Sequence, residues 1–245
     1  MALRMPKVRL YTNQPLGVGA NPLLEKGQQH YLANVMRKKV GEHLRIFNGI
    51  DGEWKAIITA ISQRHISIEV EELIRTQVQD TGPILAFAPT KHDNSSLVVQ
   101  KATELGASAV IGVFTDRTVP NKVNLEKWRA IAREASEQCD RLSVPIIHDA
   151  IKMQHLPVWC QTHKIATTIV ADPYSDHSAH LLSSLPKTSP SPLLLIGPEG
   201  GFAEAEINLL NVQGVHSVRL GTNILRAETA AIAALVVYNI ILGGW

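Results

Sequence analysis

Two glycine-bounded segments near the C-terminus hold the residue types best suited to chemistry. The first is Leu193-Leu194-Leu195-Ile196-Gly197-Pro198-Glu199-Gly200-Gly201-Phe202, an apolar run that ends in glycines, a proline and an acid. Glycine admits positive φ and lets a ligand approach the backbone, and a plain strand-to-helix turn needs only one. The surplus marks a ligand loop. It matches neither GxGxxG nor GxxxxGK(S/T), and Glu199 would repel a phosphate. An acid beside a backbone cradle suits a ligand with a positive centre. The second segment is Val218-Arg219-Leu220-Gly221-Thr222-Asn223-Ile224-Leu225-Arg226-Ala227-Glu228-Thr229-Ala230-Ala231. A strand again ends at a glycine, and a helix that is apolar on nearly every face follows. Glu228 in its first turn suits the helix dipole, whereas Arg226 there does not. A ligand or partner is expected to offset that arginine.

The elements that must position these segments fall into two textures. Residues 1–75 show short strands and turns. Asn-Gly and Asp-Gly signals lie between Ile46 and Trp54, and β-rich runs follow at Ile57–Ile61 and His65–Val70. One helix is predicted around Gln28–Arg37, within a small β domain. Beyond Asp80-Thr81-Gly82-Pro83 short apolar strands alternate with helices, the signature of a parallel α/β sheet. Strands are predicted at Ile84–Ala88, Ala109–Phe114, Val144–Ile147, Ile165–Val170, Leu193–Ile196 and Ser217–Leu220. Asp93, Asn94 or Ser95 caps one helix carrying Val98, Ala102 and Leu105. Asn124 caps another, carrying Leu125, Trp128, Ala132, Ala135 and Cys139. Residues 183–192 read as a polar, proline-rich surface loop.

Composition narrows the classes. With 45% hydrophobic and 19% charged residues in 245, the chain is neither a disordered polymer nor low in complexity. Two cysteines without a CxxC exclude a disulfide scaffold and an all-cysteine zinc site, and fit a reducing compartment. The ten histidines show no HExxH, so no metal is expected. The greasiest stretch, Ala230–Leu242, is shorter than the roughly 20 residues that span a bilayer. No membrane or export signal appears, and a cytoplasmic protein is expected. Residues 1–75 hold 11 Lys and Arg against 7 Asp and Glu, while the remainder hold 13 against 15. A basic end on a near-neutral body fits either a polyanion-binding module or a solvated basic face.

The chain resembles the SPOUT superfamily of RNA methyltransferases, and within it the RsmE family, which methylates N3 of a uridine in 16S ribosomal RNA. The two loops carry part of the likeness, with Ile224-Leu225-Arg226-Ala227-Glu228-Thr229-Ala230 similar to the ILR-x-ETA signature. Leu97–Gly106 is similar to the family's central helix. Glu137-Gln138-Cys139-Asp140-Arg141 with Val144-Pro145 is similar to its EQ-x-x-R-x-x-VP element. Arg9-Leu10-Tyr11 and His30-Tyr31-Leu32 through Arg37 resemble its N-terminal domain. Where the family usually has Pro-Arg after Leu-Gly, this chain has Thr222-Asn223, so Asn223 stands where an arginine would act on the base.

The resemblance implies an α/β fold: a small PUA-like β-barrel domain at 1–75, then a SPOUT methyltransferase domain at 76–245 with a C-terminal trefoil knot. It implies a homodimer that binds S-adenosyl-L-methionine in the knot loops and acts on 16S ribosomal RNA of the small subunit. Ile196, Gly197, Glu199 and Gly200 would form one wall of the cofactor site, and Leu220, Gly221, Ile224 and Leu225 the other. Arg226 would stabilise negative charge developing on the base. Glu228 would act as base or orient Arg226. Arg4, Lys7, Arg9, Arg37, Lys38, Lys39 and Arg141 are candidates to grip RNA. The competing readings are a non-catalytic RNA binder and an enzyme that modifies transfer RNA.

Overall fold

A computed structural model describes residues 5–62, 65–91, 94–177, 191–211 and 214–243. Arg4, the capping candidate Asp93 and residues 183–190 of the proline-rich loop lie outside them. The chain divides into two compact units, Met1–Gln79 with Ser136–Val144, and Asp80–Ala135 with Pro145–Trp245. The first unit thus takes in a segment that the linear division at residue 75 assigns to the second domain.

The first unit carries strand β1 (Arg9–Tyr11), helix α1 (Lys26–His30), and strands β2 (His43–Phe47), β3 (Glu53–Ile61) and β4 (Ile66–Arg75). They form one sheet in the order β1-β2-β3-β4, with β1 parallel to β2 and the other pairs antiparallel. The predicted helix at Gln28–Arg37 is shorter as an α-helix. After His30 it continues as one π-helical turn, Tyr31–Val35, and Arg37 turns left-handed at φ 49°. Alternation sets the buried face. Leu44, Ile46, Ile66, Ile68 and Val70 are all at most 2% exposed and meet Leu10, Leu32 and Ile58 in one core. Between β2 and β3 the Asn48 Oδ1 accepts from the amides of Ile50 and Asp51. Gly52 takes φ 88° there, where a Cβ would stand 2.3 Å from the Arg75 carbonyl oxygen. Only glycine fits.

Arg9 corrects a sequence expectation. Its side chain is buried rather than offered to RNA, with the residue 4% exposed. The guanidinium donates to Glu53 and to the carbonyls of Ser136 and Arg141, and its Cζ lies 3.7 Å from the Phe47 ring centroid. Glu53 is wholly buried and also meets Arg75 at 2.9 Å and Arg45 at 3.5 Å. Arg45 in turn reaches Asp140 at 2.9 Å, and Glu137 accepts from the Tyr11 amide. Arg9 therefore pins Ser136–Val144 onto the sheet. No phosphate can reach it.

The second unit is a sheet with every recorded pair parallel. Its strands are β5 (Ile84–Phe87), β6 (Ala109–Phe114), β7 (Ile146–Ile147), β8 (Ile151–Lys152), β9 (Thr168–Ala171), β10 (Leu193–Ile196) and β11 (Val215–Val218). The order is β11-β9-β10-β5-β6-β7, with β8 also on β6. Strands β5 and β10 are buried at every position, as a sheet covered on both faces requires. Helices α2 (Asn94–Glu104), α3 (Leu125–Gln138), α4 (Leu156–Thr162), α5 (Glu204–Leu210) and α6 (Ala227–Tyr238) intervene or follow. The predicted cap of α3 is present, since Asn124 Oδ1 accepts from the Lys127 amide at 3.0 Å. Helix α6 packs on α2, β10 and β5, and Asn239 Nδ2 donates to the Leu105 carbonyl. No helix among the described residues is long and apolar enough to cross a membrane.

Candidate functional site

Three adjacent parallel strands end in register. Ile196 of β10 and Val218 of β11 both pair with Ala171 of β9, so the loops that leave them emerge side by side. Ligands of open α/β sheets bind beyond such carboxyl ends. A cavity of about 460 Å³ opens there. It is lined by Ala171–Tyr174 after β9, Ile196–Phe202 after β10, and Arg219–Leu225 (except Thr222) after β11, with Ala227 and Ala230 of α6.

All eight residues expected to hold the cofactor line this one cavity: Ile196, Gly197, Glu199, Gly200, Leu220, Gly221, Ile224 and Leu225. The glycines differ in why they are needed. At Gly197 a Cβ would lie 2.9 Å from the Phe202 ring, so the loop closes on that ring only without a side chain. At Gly200 a Cβ would touch the flexible methylenes of Arg117 at 3.3 Å. At Gly221 a Cβ would meet nothing within 4 Å, so the chain's own packing does not call for glycine. Its bare backbone borders space that a ligand can use.

The cavity walls are held from outside the two motifs. Arg117, in the loop after β6, donates to the Gly200 carbonyl at 2.6 Å. Glu206 is buried in α5, where one oxygen accepts from the Asp116 amide at 2.9 Å and the other from the Ala203 amide at 2.8 Å. Sequence analysis assigns no role to Glu206, Arg117, Asp172 or Tyr174. A turn dipeptide, Asp172-Pro173, just past a predicted strand was the available signal for the last two.

Arg226 and Glu228 adjoin the cavity without lining it. Arg226 occupies the N-cap of α6 with its side chain exposed, and its carbonyl accepts from the Ala230 amide at 2.8 Å. Glu228 is half-buried. Its Oε1 accepts from Asn94 Nδ2 at 3.3 Å, while Oε2 is buried and accepts no hydrogen bond among the described residues. No ion pair joins Arg226 to Glu228 among those residues. A buried carboxylate oxygen without a donor is an open acceptor, and an exposed guanidinium at a helix N-terminus is a cation well placed to meet an anion.

Of the RNA-binding candidates in the first unit, Arg37 and Lys39 are exposed. Lys38 is half-buried with Nζ 3.0 Å from Glu42. Arg141 is half-buried, and its carbonyl receives Arg9.

Comparison with known proteins gives both parts of the chain a chemical meaning. Residues 80–239 match an RNA methyltransferase domain and residues 24–71 an RNA methyltransferase PUA domain. Ribosomal RNA small subunit methyltransferase E of Rickettsia conorii is 33% identical over 236 residues, 93% of either chain. The protein of that name from Bacillus subtilis is 34% identical over 221 residues, 84% of either chain. The crystal structure of a ribosomal RNA small subunit methyltransferase E from Neisseria gonorrhoeae, bound to S-adenosyl methionine, is 26% identical. It superposes with a TM-score of 0.84, covering 97% of this chain and 98% of the other.

Proposed function

The chain belongs to the ribosomal RNA small subunit methyltransferase E family, and from that premise we propose that it methylates N3 of a uridine in 16S ribosomal RNA with S-adenosylmethionine. The observation that carries the reading is the cavity at the in-register ends of β9, β10 and β11, with glycine backbone on both flanks. Its size suits one small ligand. The residues fit the cofactor: Gly197, Gly200 and Gly221 admit close backbone contact, the leucine and isoleucine side chains supply apolar surface, and Glu199 answers a positive sulfonium.

When bound, S-adenosylmethionine supplies an electrophilic methyl group. The chain's own residues do the rest. Uracil N3 carries a proton that must leave, and Glu228 Oε2, buried and without a donor among the described residues, is the acceptor for it. Negative charge then develops on the uracil carbonyls, where the exposed Arg226 guanidinium stabilises it. The loops hold donor and acceptor in line.

The finer organisation belongs to the same reading. Residues 1–75 form a PUA-like barrel domain that grips RNA through Arg37, Lys38 and Lys39, and Arg141, from outside that stretch, joins them. Residues 76–245 form the SPOUT domain, knotted where the loops after β9, β10 and β11 meet. The protein acts as a cytoplasmic homodimer, supported by the spread of apolar residues around α6 and by Ile240 beyond it, 63% exposed.

Calorimetry with S-adenosylmethionine separates an enzyme from a plain RNA binder, which gives no heat. Mass mapping of RNA from a strain lacking the protein tests the target: a missing N3-methyluridine in 16S ribosomal RNA supports the proposal. A missing transfer-RNA methylation with intact 16S RNA refutes it.

A further inference from the structure

Building on that reading, we propose that Tyr174 is a stacking platform for an unstacked uracil of the RNA at the mouth of the cavity. Tyr174 lines the cavity and yet is 81% exposed. A large aromatic left in water is commonly a mobile loop tip, but here the backbone on both sides is tied down. The Asp172 amide donates to the Val218 carbonyl at 2.9 Å. Asp172 Oδ1 accepts from the Tyr174 amide at 2.9 Å, and Oδ2 accepts from the Ser217 hydroxyl at 3.1 Å. Ser175 is buried and donates to the Ser217 carbonyl, and the Arg219 amide donates to the His177 carbonyl. The described part of the loop is braced against β11 while the Tyr174 ring is presented outward.

That combination suits a flat, polar-edged ligand arriving from solvent. The cavity accommodates one small molecule, so a second reactant has to be met at its mouth. N3 is hidden in a base pair, so its base has to be unstacked, and an unstacked base is held by aromatic faces. Tyrosine does this with little loss of side-chain freedom. Two guanidiniums line the same cavity and are exposed, Arg219 and Arg117, the latter with Nη1 on the Gly200 carbonyl. Of the two acids there, Asp172 has both carboxylate oxygens bonded within the chain, and Glu199 is exposed. A base on the ring with its phosphates toward Arg219 and Arg117 uses every one of these features.

The test is anisotropy of a short labelled oligouridylate titrated with the full chain and saturating S-adenosylmethionine. An abasic oligonucleotide of equal length reads the phosphate contribution alone. Tyr174→Ala should weaken oligouridylate binding about tenfold or more, the range for one stacked base. Tyr174→Phe should stay within about twofold of the wild type, because the ring face is kept. Neither substitution should change abasic affinity or the calorimetric affinity for S-adenosylmethionine. Equal oligouridylate affinity in the wild type and Tyr174→Ala overturns the proposal. So does a loss of S-adenosylmethionine affinity, which would make the ring part of the cofactor pocket. If Tyr174-dependent binding is found but the wild type transfers no methyl group to small-subunit RNA, the reaction proposed above fails while stacking stands.

Discussion

Glu53, in the first unit, and Glu228, in the second, each bring a carboxylate into the protein. Glu53 lies wholly buried among Arg9, Arg45 and Arg75, and Arg9 also donates to the carbonyls of Ser136 and Arg141. Glu228 has one oxygen on Asn94 and the other buried without a donor among the described residues. A buried carboxylate without a partner costs the fold about 1–3 kcal/mol or more, so it persists where something other than stability holds it. The cluster meets both Glu53 oxygens with guanidiniums, so neither is left for a ligand. It orders a segment. The unsaturated oxygen keeps its capacity, and it stands beside a cavity bordered by the glycines of both loops. Buried charge by itself does not mark an active site; unmet buried charge does so far better.

The contrast breaks first at Glu53. Glu53→Ala leaves Arg9 buried beside a lost partner and should cost about 3–5 kcal/mol, read by urea denaturation. A loss under about 1 kcal/mol would make the arginine cluster incidental. Glu228→Gln should do the opposite. It removes a charge whose Oε2 has no donor among the described residues, at nearly constant volume, so thermal stability should change little. Single-turnover methyl transfer should nevertheless fall about 10²- to 10⁴-fold, the usual contribution of a general base. Unchanged turnover with lowered stability would make Glu228 as structural as Glu53.

The two regions were unequally legible in the sequence. Period-two alternation in β4 and the buried runs of β5 and β10 are local patterns, and both glycine loops could be read directly. Arg9 could not. A guanidinium in a basic N-terminus reads as a phosphate grip, and its burial depends on Glu53 and on carbonyls more than 120 residues away. Arg117 and Tyr174 stayed hidden for the same reason, since only the strand order sets their loops beside β10 and β11. Helix α1 ended early because a π-helical turn and a left-handed Arg37 leave no hydrophobic-periodicity signal.

A smaller perturbation tests whether backbone proximity shapes the cofactor wall. Sequence alone sets Gly197 and Gly200 in the same wall, but the tight position is Gly197, where a Cβ would press on the Phe202 ring. Gly197→Ala should weaken S-adenosylmethionine binding by about 1–3 kcal/mol, an overpacking cost read by calorimetry. Adding Phe202→Leu should recover most of it. Wild-type affinity in Gly197→Ala would mean that the loop is not a close-fitting wall.

The smallest expected effect isolates the charge of Glu53 from its shape. Burial pushes its carboxyl pKa up, but hydrogen bonds from Arg75 and Arg9, with the charges of Arg9 and Arg45, outweigh this and hold it below the ordinary 4.5. A carboxyl depressed in the folded state adds stability that is complete above its unfolded value and disappears as pH falls through the folded value. The loss should therefore begin near pH 4.5 and grow below it. Other carboxylates titrate in the same range, so the informative quantity is the difference in urea midpoint between wild type and Glu53→Gln. At neutral pH the wild type should be the more stable. Between about pH 5 and about pH 2 the gap should narrow, because protonation turns the wild type into a neutral near-isostere of the variant. Salt should change the gap little, since the Glu53 carboxylate and its Arg9 partner are shielded from solvent. A gap that stayed constant down to acid would show that the arginines hold the shape of Glu53 and not its charge. The contrast with Glu228 would then lie in hydrogen-bond geometry alone.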